Sequence, residues 1–294
     1  KQRKRLFLYD LAKKTAQRLA DGDYDEYLPA WSPDGTRVAF VSRRGAEPDR
    51  GVDSNIYIAR VDKPGAAPFQ LTTYEGADAP EDALSYPAWS PDGTSIAYVR
   101  GGDPTLLWYA ASDIAVVPVT GGEPKTLTAG QDRNVYTPFW TPDGKAIRFV
   151  VENDGRQVLA SVSPLGGAVS TVLKGDFTLS FPTQAKNGRV ALLETEIAKP
   201  AEVFAFDSGK LRQLSDHNSA WLNGIDLASS AYTAFKSKDG TEIHGFVTLP
   251  VGAKNGVRLP TMLHPHGGPA AQYSYAFDGW QQIFAGAGYV VLAP

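Results

Sequence analysis

The 294-residue chain has no cysteine. That excludes disulfide staples, thiolate nucleophiles and cysteine-ligated metal, and it leaves both a cytoplasmic and a periplasmic address open. No apolar run approaches the roughly 18 to 20 residues that span a bilayer, so no membrane partner is expected. Neither sign of charge dominates: 29 Lys and Arg stand against 32 Asp and Glu, for a net charge of -3. A surface so balanced has no broad attraction for nucleic acid. Histidine is scarce, at four residues, and methionine scarcer still. Because Lys1 opens the chain and Met262 is its only methionine, the chain is read as starting after its translation start, with any signal peptide upstream. The opening Lys1-Gln-Arg-Lys-Arg5 reads as a solvated segment ahead of a strand rather than a basic contact patch.

Turn formers and aromatics are plentiful, with 29 Gly, 21 Pro, 13 Phe, 13 Tyr and 6 Trp. The aromatics supply enough apolar area to offset the entropy of ordering the chain, which excludes a disordered protein. The turn residues recur in a pattern. Trp31-Ser-Pro-Asp-Gly35 returns as Trp89-Ser-Pro-Asp-Gly93 and as Trp140-Thr-Pro-Asp-Gly144. An alternating apolar run follows each: Val38 to Val41, Ile96 to Val99 and Ile147 to Val151. Pro presets φ and Gly accepts a positive φ, so each unit reads as a strand ending in Trp, a tight turn and a returning strand.

A third strand is expected at Ile56–Ala59, Ile114–Val117, Val158–Val162 and Val203–Phe206, and a short fourth one closing in Gln70-Leu-Thr72, Thr126-Leu-Thr128 and Gln213-Leu-Ser215. The Trp spacings exceed the roughly 40 to 45 residues of a typical propeller blade, so loop insertions are required, the clearest at Arg43 to Ser54. A further unit lacks the Trp but keeps the rhythm at Asn187-Gly188 and Val190 to Leu193, and Leu6 to Leu19 reads as the outer half of a preceding one. About four and a half blades are therefore visible. They resemble the β-propeller repeats of TolB-like and prolyl-oligopeptidase-type proteins. Within that resemblance each Trp and Asp-Gly serves packing and turn geometry rather than catalysis.

After Ser215-Asp-His-Asn218 the rhythm stops. Phe235 to Gly240, followed by Ile243 to Pro250, reads as a hairpin with an Asp-Gly turn. Pro260 to His264 reads as a strand, His266-Gly-Gly-Pro269 as a loop, Trp280 to Ala285 as a helix ended by Gly286 and Gly288, and Tyr289 to Ala293 as a fully apolar strand. Strand, loop, helix and strand in that order point to a parallel α/β sheet. The expected organisation is an all-β propeller over 1–222, a linker over 223–231, and the N-terminal part of an α/β-hydrolase domain over 232–294.

The run Leu263-His-Pro-His-Gly-Gly-Pro269 with Ala285-Gly-Ala-Gly-Tyr-Val-Val-Leu-Ala-Pro294 resembles the start of the hydrolase domain in the prolyl oligopeptidase superfamily of serine peptidases, in the subgroup of acylaminoacyl-peptidases and dipeptidyl-peptidase-like enzymes. The resemblance implies acyl transfer to a serine and short peptides as substrates, with the propeller restricting entry. In an α/β-hydrolase the nucleophile sits in a G-x-S-x-G elbow, followed by an acid and a histidine. No G-x-S-x-G occurs here, so the triad is expected beyond Pro294. What remains, by resemblance, is the oxyanion-hole loop His266, Gly267 and Gly268.

His217 and His244 read as structural or surface residues. His264 and His266 also have a spacing that can put two imidazoles on one metal, as in metal-dependent amidohydrolases with a similar propeller. Pro265 and the following Gly-Gly-Pro fit a strand-to-loop exit better, and no carboxylate cluster completes a site, so neither metal nor other cofactor is expected. Glu47, Asp49 and Asp53 in the first insertion read as a solvated loop, with a substrate amino terminus as the alternative ligand. The rival to a peptidase is a TolB-like binding propeller with a degenerate hydrolase segment. A homo-oligomer is left open.

Overall fold

In the computed structural model the described residues are 2–80, 85–207, 209–254, 256–268 and 270–294. Lys1 of the basic opening, Ser208 and Pro269 of the candidate loop lie outside them. The first elements are a two-stranded pair, β1 (Phe7–Asp10) and β2 (Thr15–Arg18). Four four-stranded sheets follow, each with its strands in chain order. The first holds β3 (Glu26–Trp31), β4 (Arg37–Ser42), β5 (Asn55–Arg60) and β6 (Phe69–Gln70). The second holds β7 (Ala88–Trp89), β8 (Ser95–Arg100), β9 (Asp113–Pro118) and β10 (Lys125–Thr126). The third holds β11 (Val135–Trp140), β12 (Ile147–Asn153), β13 (Arg156–Val162) and β14 (Ser170–Leu173). The fourth holds β15 (Thr178–Gln184), β16 (Val190–Glu196), β17 (Lys199–Asp207) and β18 (Lys210–Gln213). This is the propeller blade repeated four times, with a half-blade ahead of it.

The repeated turn is held by its own side chains. Ser32 Oγ donates to Asp34 Oδ1 at 2.6 Å and accepts from the Arg37 amide at 3.0 Å, while the Thr36 amide donates to Asp34 Oδ1 at 3.0 Å. Those bonds, the Ser32 hydroxyl first, hold the Asp34 carboxyl down at about 2. Thr141 does the work of Ser in the third copy, donating to Asp143 at 2.7 Å and accepting from Ala146 at 3.0 Å, because only the hydroxyl is needed. Gly35, Gly93 and Gly144 carry φ of +70°, +69° and +68°, the region that favours glycine.

Two of the three motif tryptophans stitch blades together. Trp89 Nε1 donates to Ala30 O at 3.0 Å and Trp140 Nε1 to Ala88 O at 2.9 Å. In the unit that lacks Trp, Gln184 Nε2 reaches Trp140 O in the same way.

Two features depart from the sequence expectation. The fourth strands β6 and β10 are only two residues long, and the Leu-Thr that follows each leaves the ladder. Thr72 Oγ1 accepts from the Ile56 amide at 3.0 Å and donates to Asn55 at 3.1 Å; Thr128 Oγ1 accepts from Ile114 at 2.9 Å and donates to Asp113 at 2.7 Å. Ser215 closes the fourth sheet in the same manner, accepting from the Val203 amide at 2.8 Å and donating to Glu202. Each hydroxyl thus clasps the last strand to the third, at its start in the first two sheets and at its middle, Glu202 and Val203, in the fourth. The first strands also bend at non-glycine residues of positive φ, Leu28 (+50°) and Thr137 (+51°), where the registers of β3–β4 and β11–β12 shift. Such bulges turn a strand sharply.

By contact density the chain divides into Lys1–Glu152, Leu159–Val172 and Gln184–Gly188 on the one hand, and Asn153–Val158, Leu173–Thr183 and Arg189–Pro294 on the other. In the first unit the core between the first two blades is built from Val41, Ile56, Ile58, Ile96, Tyr98 and Val117 among others. Two acids are sealed into this unit. Glu26 bonds Arg44 at 2.9 Å and the Leu6 amide at 3.0 Å. Asp78 is fully buried, and neither carboxylate oxygen meets a hydrogen-bond partner among the described residues. Burial drives it up to about 6, against the opposing pull of Thr72, Arg100 and Tyr98.

The second unit contains the fourth blade and a different sheet, in the order β19 (Ser229–Lys236), β20 (Glu242–Leu249), β22 (Val290–Ala293), β21 (Thr261–Leu263). β19 and β20 are the expected hairpin, though β19 begins at Ser229, inside the expected linker. A short helix α1 (Ser219–Leu222) precedes it. β21 and β22 run parallel, joined through helix α2 (Gly279–Gly286). Strand, helix and parallel strand make the βαβ unit that the sequence pattern implies.

Candidate functional site

The candidate loop follows β21, which is the third strand of its sheet. Parallel pairing of Thr261, Met262 and Leu263 with Val290, Val291 and Leu292 fixes the strand, and the His264 amide extends it by donating to Leu292 O at 2.8 Å. On the far side α2 begins with Asp278 as its cap, accepting from the Trp280 and Gln281 amides at 2.8 and 3.1 Å. Gly288, at φ +92°, lets the chain leave the helix for β22. The helix packs Ala285 against Val291 and Ala228.

Within the loop, His266 Nδ1 lies 2.7 Å from Gly267 O. A carbonyl oxygen only accepts, so Nδ1 carries the proton in this contact. In a trans peptide the C=O and the next N–H point opposite ways, so this bond also turns the Gly268 N–H away from the imidazole. Neither the Gly267 nor the Gly268 amide donates to another group among the described residues. The two glycines differ in what they require. Gly268 has φ +144°, and a Cβ there would lie 2.9 Å from the Ala270 nitrogen; a Cβ on Gly267 would meet nothing within 4 Å. Only Gly268 is demanded by the protein's own backbone, and the space over Gly267 is open.

His264 and His266 both pack on Tyr273, with ring centroids 5.6 and 6.0 Å away, and His264 also meets Phe284 at 5.9 Å. The His264 Nδ1 is buried without a hydrogen-bond partner among the described residues. Among those residues no three His, Asp or Glu side chains converge as a metal site would need.

The other residues singled out in the sequence lie elsewhere. Asp49 pairs with Arg3, and Glu47 lies 3.6 Å from Arg50, so both are in ion pairs of the first insertion. The His217 amide donates to Glu202 at 2.7 Å. His244 enters a network that the sequence reading misses. Its Nδ1 bonds Tyr232 Oη, which also donates to Asp154, and its Nε2 lies 3.1 Å from Glu242. Burial, then the bond to Asp154, push the Tyr232 hydroxyl up to about 12, so it keeps its proton. Asp154 and Gly155 form the turn between β12 and β13 with φ of +54° and +72°. An Asp-Gly pair between two apolar runs is the signal that would have marked this turn. Its partners, 78 and more residues away in sequence, carry no such signal.

With the geometry established, known proteins can be set beside it. The family model of the TolB β-propeller domain matches residues 1–218. Dipeptidyl-peptidase 5 of Porphyromonas gingivalis is 24% identical over 278 residues, covering 90% of this chain and 38% of that protein. Dipeptidyl-peptidase 5 of Aspergillus fumigatus is 28% identical over 303 residues, covering 92% and 38%. Among solved structures, the acylaminoacyl peptidase of Pyrococcus horikoshii superimposes with a TM-score of 0.67 at 17% identity, covering 98% of this chain and 53% of that one; at such identity the likeness is one of fold. The chain spans 38% of the length of these curated relatives. It belongs to the TolB β-propeller family, and its likeness runs on past the propeller into peptidases of the prolyl oligopeptidase superfamily.

Proposed function

We propose that this chain is part of a serine peptidase that hydrolyses short peptides through an acyl-enzyme, with a propeller over 1–222 limiting access, a linker over 223–231 and the start of the peptidase domain over 232–294. The observation that carries the reading is the loop His266-Gly267-Gly268: two amides without partners among the described residues, between the third strand of a mixed sheet in chain order and the helix that follows it. In α/β-hydrolases one oxyanion donor comes from the loop at that place. When a serine oxygen attacks a peptide carbonyl, negative charge gathers on the carbonyl oxygen. An amide already aimed there stabilises it without reorganising, at about 2.7 to 4 kcal/mol per donor. The serine's proton passes to a histidine and then to the departing amine, and water afterwards releases the acyl group. The serine, histidine and acid are assigned to residues beyond Pro294. His266 acts on the Gly267 peptide plane and Gly268 supplies the permissive backbone.

Incubating the full-length protein with a fluorophosphonate and mapping the adduct by mass spectrometry tests this reading. Labelling of one serine downstream of Pro294, abolished by its replacement with Ala, is the expected result. A folded, monodisperse sample that forms no adduct would sink the serine mechanism and leave a binding propeller.

A further inference from the structure

The candidate loop is anchored twice, and the second anchor comes from far away in sequence. Its N-terminal stem is fixed by the bond from His264 to Leu292. From there to Ser274 no backbone amide donates to another backbone group among the described residues. The chain is caught again at Tyr275, whose amide donates to Gly155 O at 2.7 Å, while the Gly155 amide donates to Gln272 Oε1 at 3.3 Å. Arg156 adds a bond from Nη2 to Tyr275 Oη at 2.9 Å, with its guanidinium 4.2 Å over the same ring. Tyr275 also stacks on Tyr232 at 5.8 Å, the Arg156 guanidinium lies 5.9 Å from the Tyr232 ring as well, and Tyr232 in turn bonds Asp154. Gly155 lies against the loop: a Cβ there would reach van der Waals contact with Tyr273 O at 3.4 Å. Tyr273, held in the middle, is the ring that packs on both His264 and His266.

We infer that the β12–β13 turn, Asp154-Gly155-Arg156, is a positioning element for the oxyanion loop, acting through Gln272, Tyr273 and Tyr275. This rests on the peptidase reading above. An unbraced glycine loop samples many conformations, and an oxyanion donor works only when its direction is set beforehand. A turn of this type is stiff, because both central residues are committed to positive φ. It therefore transmits rigidity to a loop that lacks its own backbone bonds. Arg156 touches no reacting atom, and its effect is on where the Gly267 and Gly268 amides point.

The test compares Arg156→Ala, Arg156→Lys and Tyr275→Phe with the wild type in the full-length protein, reading kcat and KM on an aminoacyl 4-nitroanilide and the rate of fluorophosphonate labelling. Arg156→Ala is expected to lower kcat and the labelling rate at least about tenfold with KM within about twofold, since a misplaced donor weakens the transition state rather than ground-state binding. Arg156→Lys keeps a cation over Tyr275 and a donor to its hydroxyl, and is expected to regain most of the loss. Should Arg156→Ala fail to fold, Tyr275→Phe decides, because it removes one hydroxyl and keeps the ring. Folded variants with wild-type kcat, or with a loss in KM alone, overturn the inference. A wild type that never labels sinks the peptidase reading instead, so the two failures are distinguishable.

Discussion

A single buried carboxyl is the most pH-sensitive feature of the first unit. Asp78 is sealed between two blades, and its desolvation raises it from 3.8 to about 6. Because the folded state holds this proton more tightly than the unfolded chain does, the contribution to stability is fully present below about 4 and lost as pH rises through about 6. The difference corresponds to at most about 3 kcal/mol. Asp78→Asn removes the charge and keeps the shape. Its melting temperature is expected to exceed that of wild type at pH 8, with the gap closing between pH 6 and pH 4. Parallel profiles for the two proteins would mean that Asp78 meets compensating partners. At the candidate loop the two glycines separate structure from function. Gly268→Ala forces an L side chain into φ +144° and against Ala270, so both stability and turnover should fall. Gly267→Ala meets open space among the described residues, so the melting temperature should hold, while on the proposed oxyanion role kcat/KM is expected to fall, because the added methyl would stand in the path of a substrate carbonyl. Calorimetry beside steady-state kinetics reads both.

Elements were legible in proportion to how local their causes are. The Trp-Ser/Thr-Pro-Asp-Gly turns announce themselves because hydroxyl, carboxylate and glycine all act within five residues, and the strand, loop, helix and strand order of β21, α2 and β22 was plain from periodicity. The clasps are only half legible: Leu-Thr and Leu-Ser read as strand ends, but the partners Asn55, Asp113 and Glu202 lie 13 to 17 residues back and match only in function. The bulges at Leu28 and Thr137 are not legible in the sequence, since neither residue favours positive φ and what holds Thr137 there, its amide donating to Ser85 Oγ at 2.9 Å, comes from 52 residues away. The clasp makes a testable prediction. Thr128→Val keeps the volume but leaves the Ile114 amide without its partner and takes a donor from Asp113, which should cost about 1 to 3 kcal/mol. Thr128→Ser should cost far less, as Ser215 fills the same role in the fourth sheet. A loss larger for Thr128→Ser than for Thr128→Val in urea titrations would show that the methyl, not the hydroxyl, matters.

At the scale of the whole molecule, the second unit offers a surface that a soluble sheet does not normally leave bare. β21 is the outer strand of its sheet among the described residues, and Leu263 at its end is 63% exposed. On α2, Trp280 and Ile283 are 63% and 61% exposed. An unpaired strand edge next to large apolar side chains invites pairing with another chain. Residues 1–294 produced alone are therefore expected to self-associate as concentration rises. Leu263→Lys, which places a charge on the edge, should reduce that association. On the peptidase reading proposed above, a strand added in parallel to β21 would end beside the Gly267-Gly268 loop, where an α/β-hydrolase carries its nucleophile elbow. If that reading holds, a longer chain that supplies such a strand would cover the edge and complete the proposed site in one step, and light scattering and fluorophosphonate labelling are expected to change together as the chain is extended. Residues 1–294 that stay monomeric across the concentration range would show that the edge is not adhesive, and would separate the two effects.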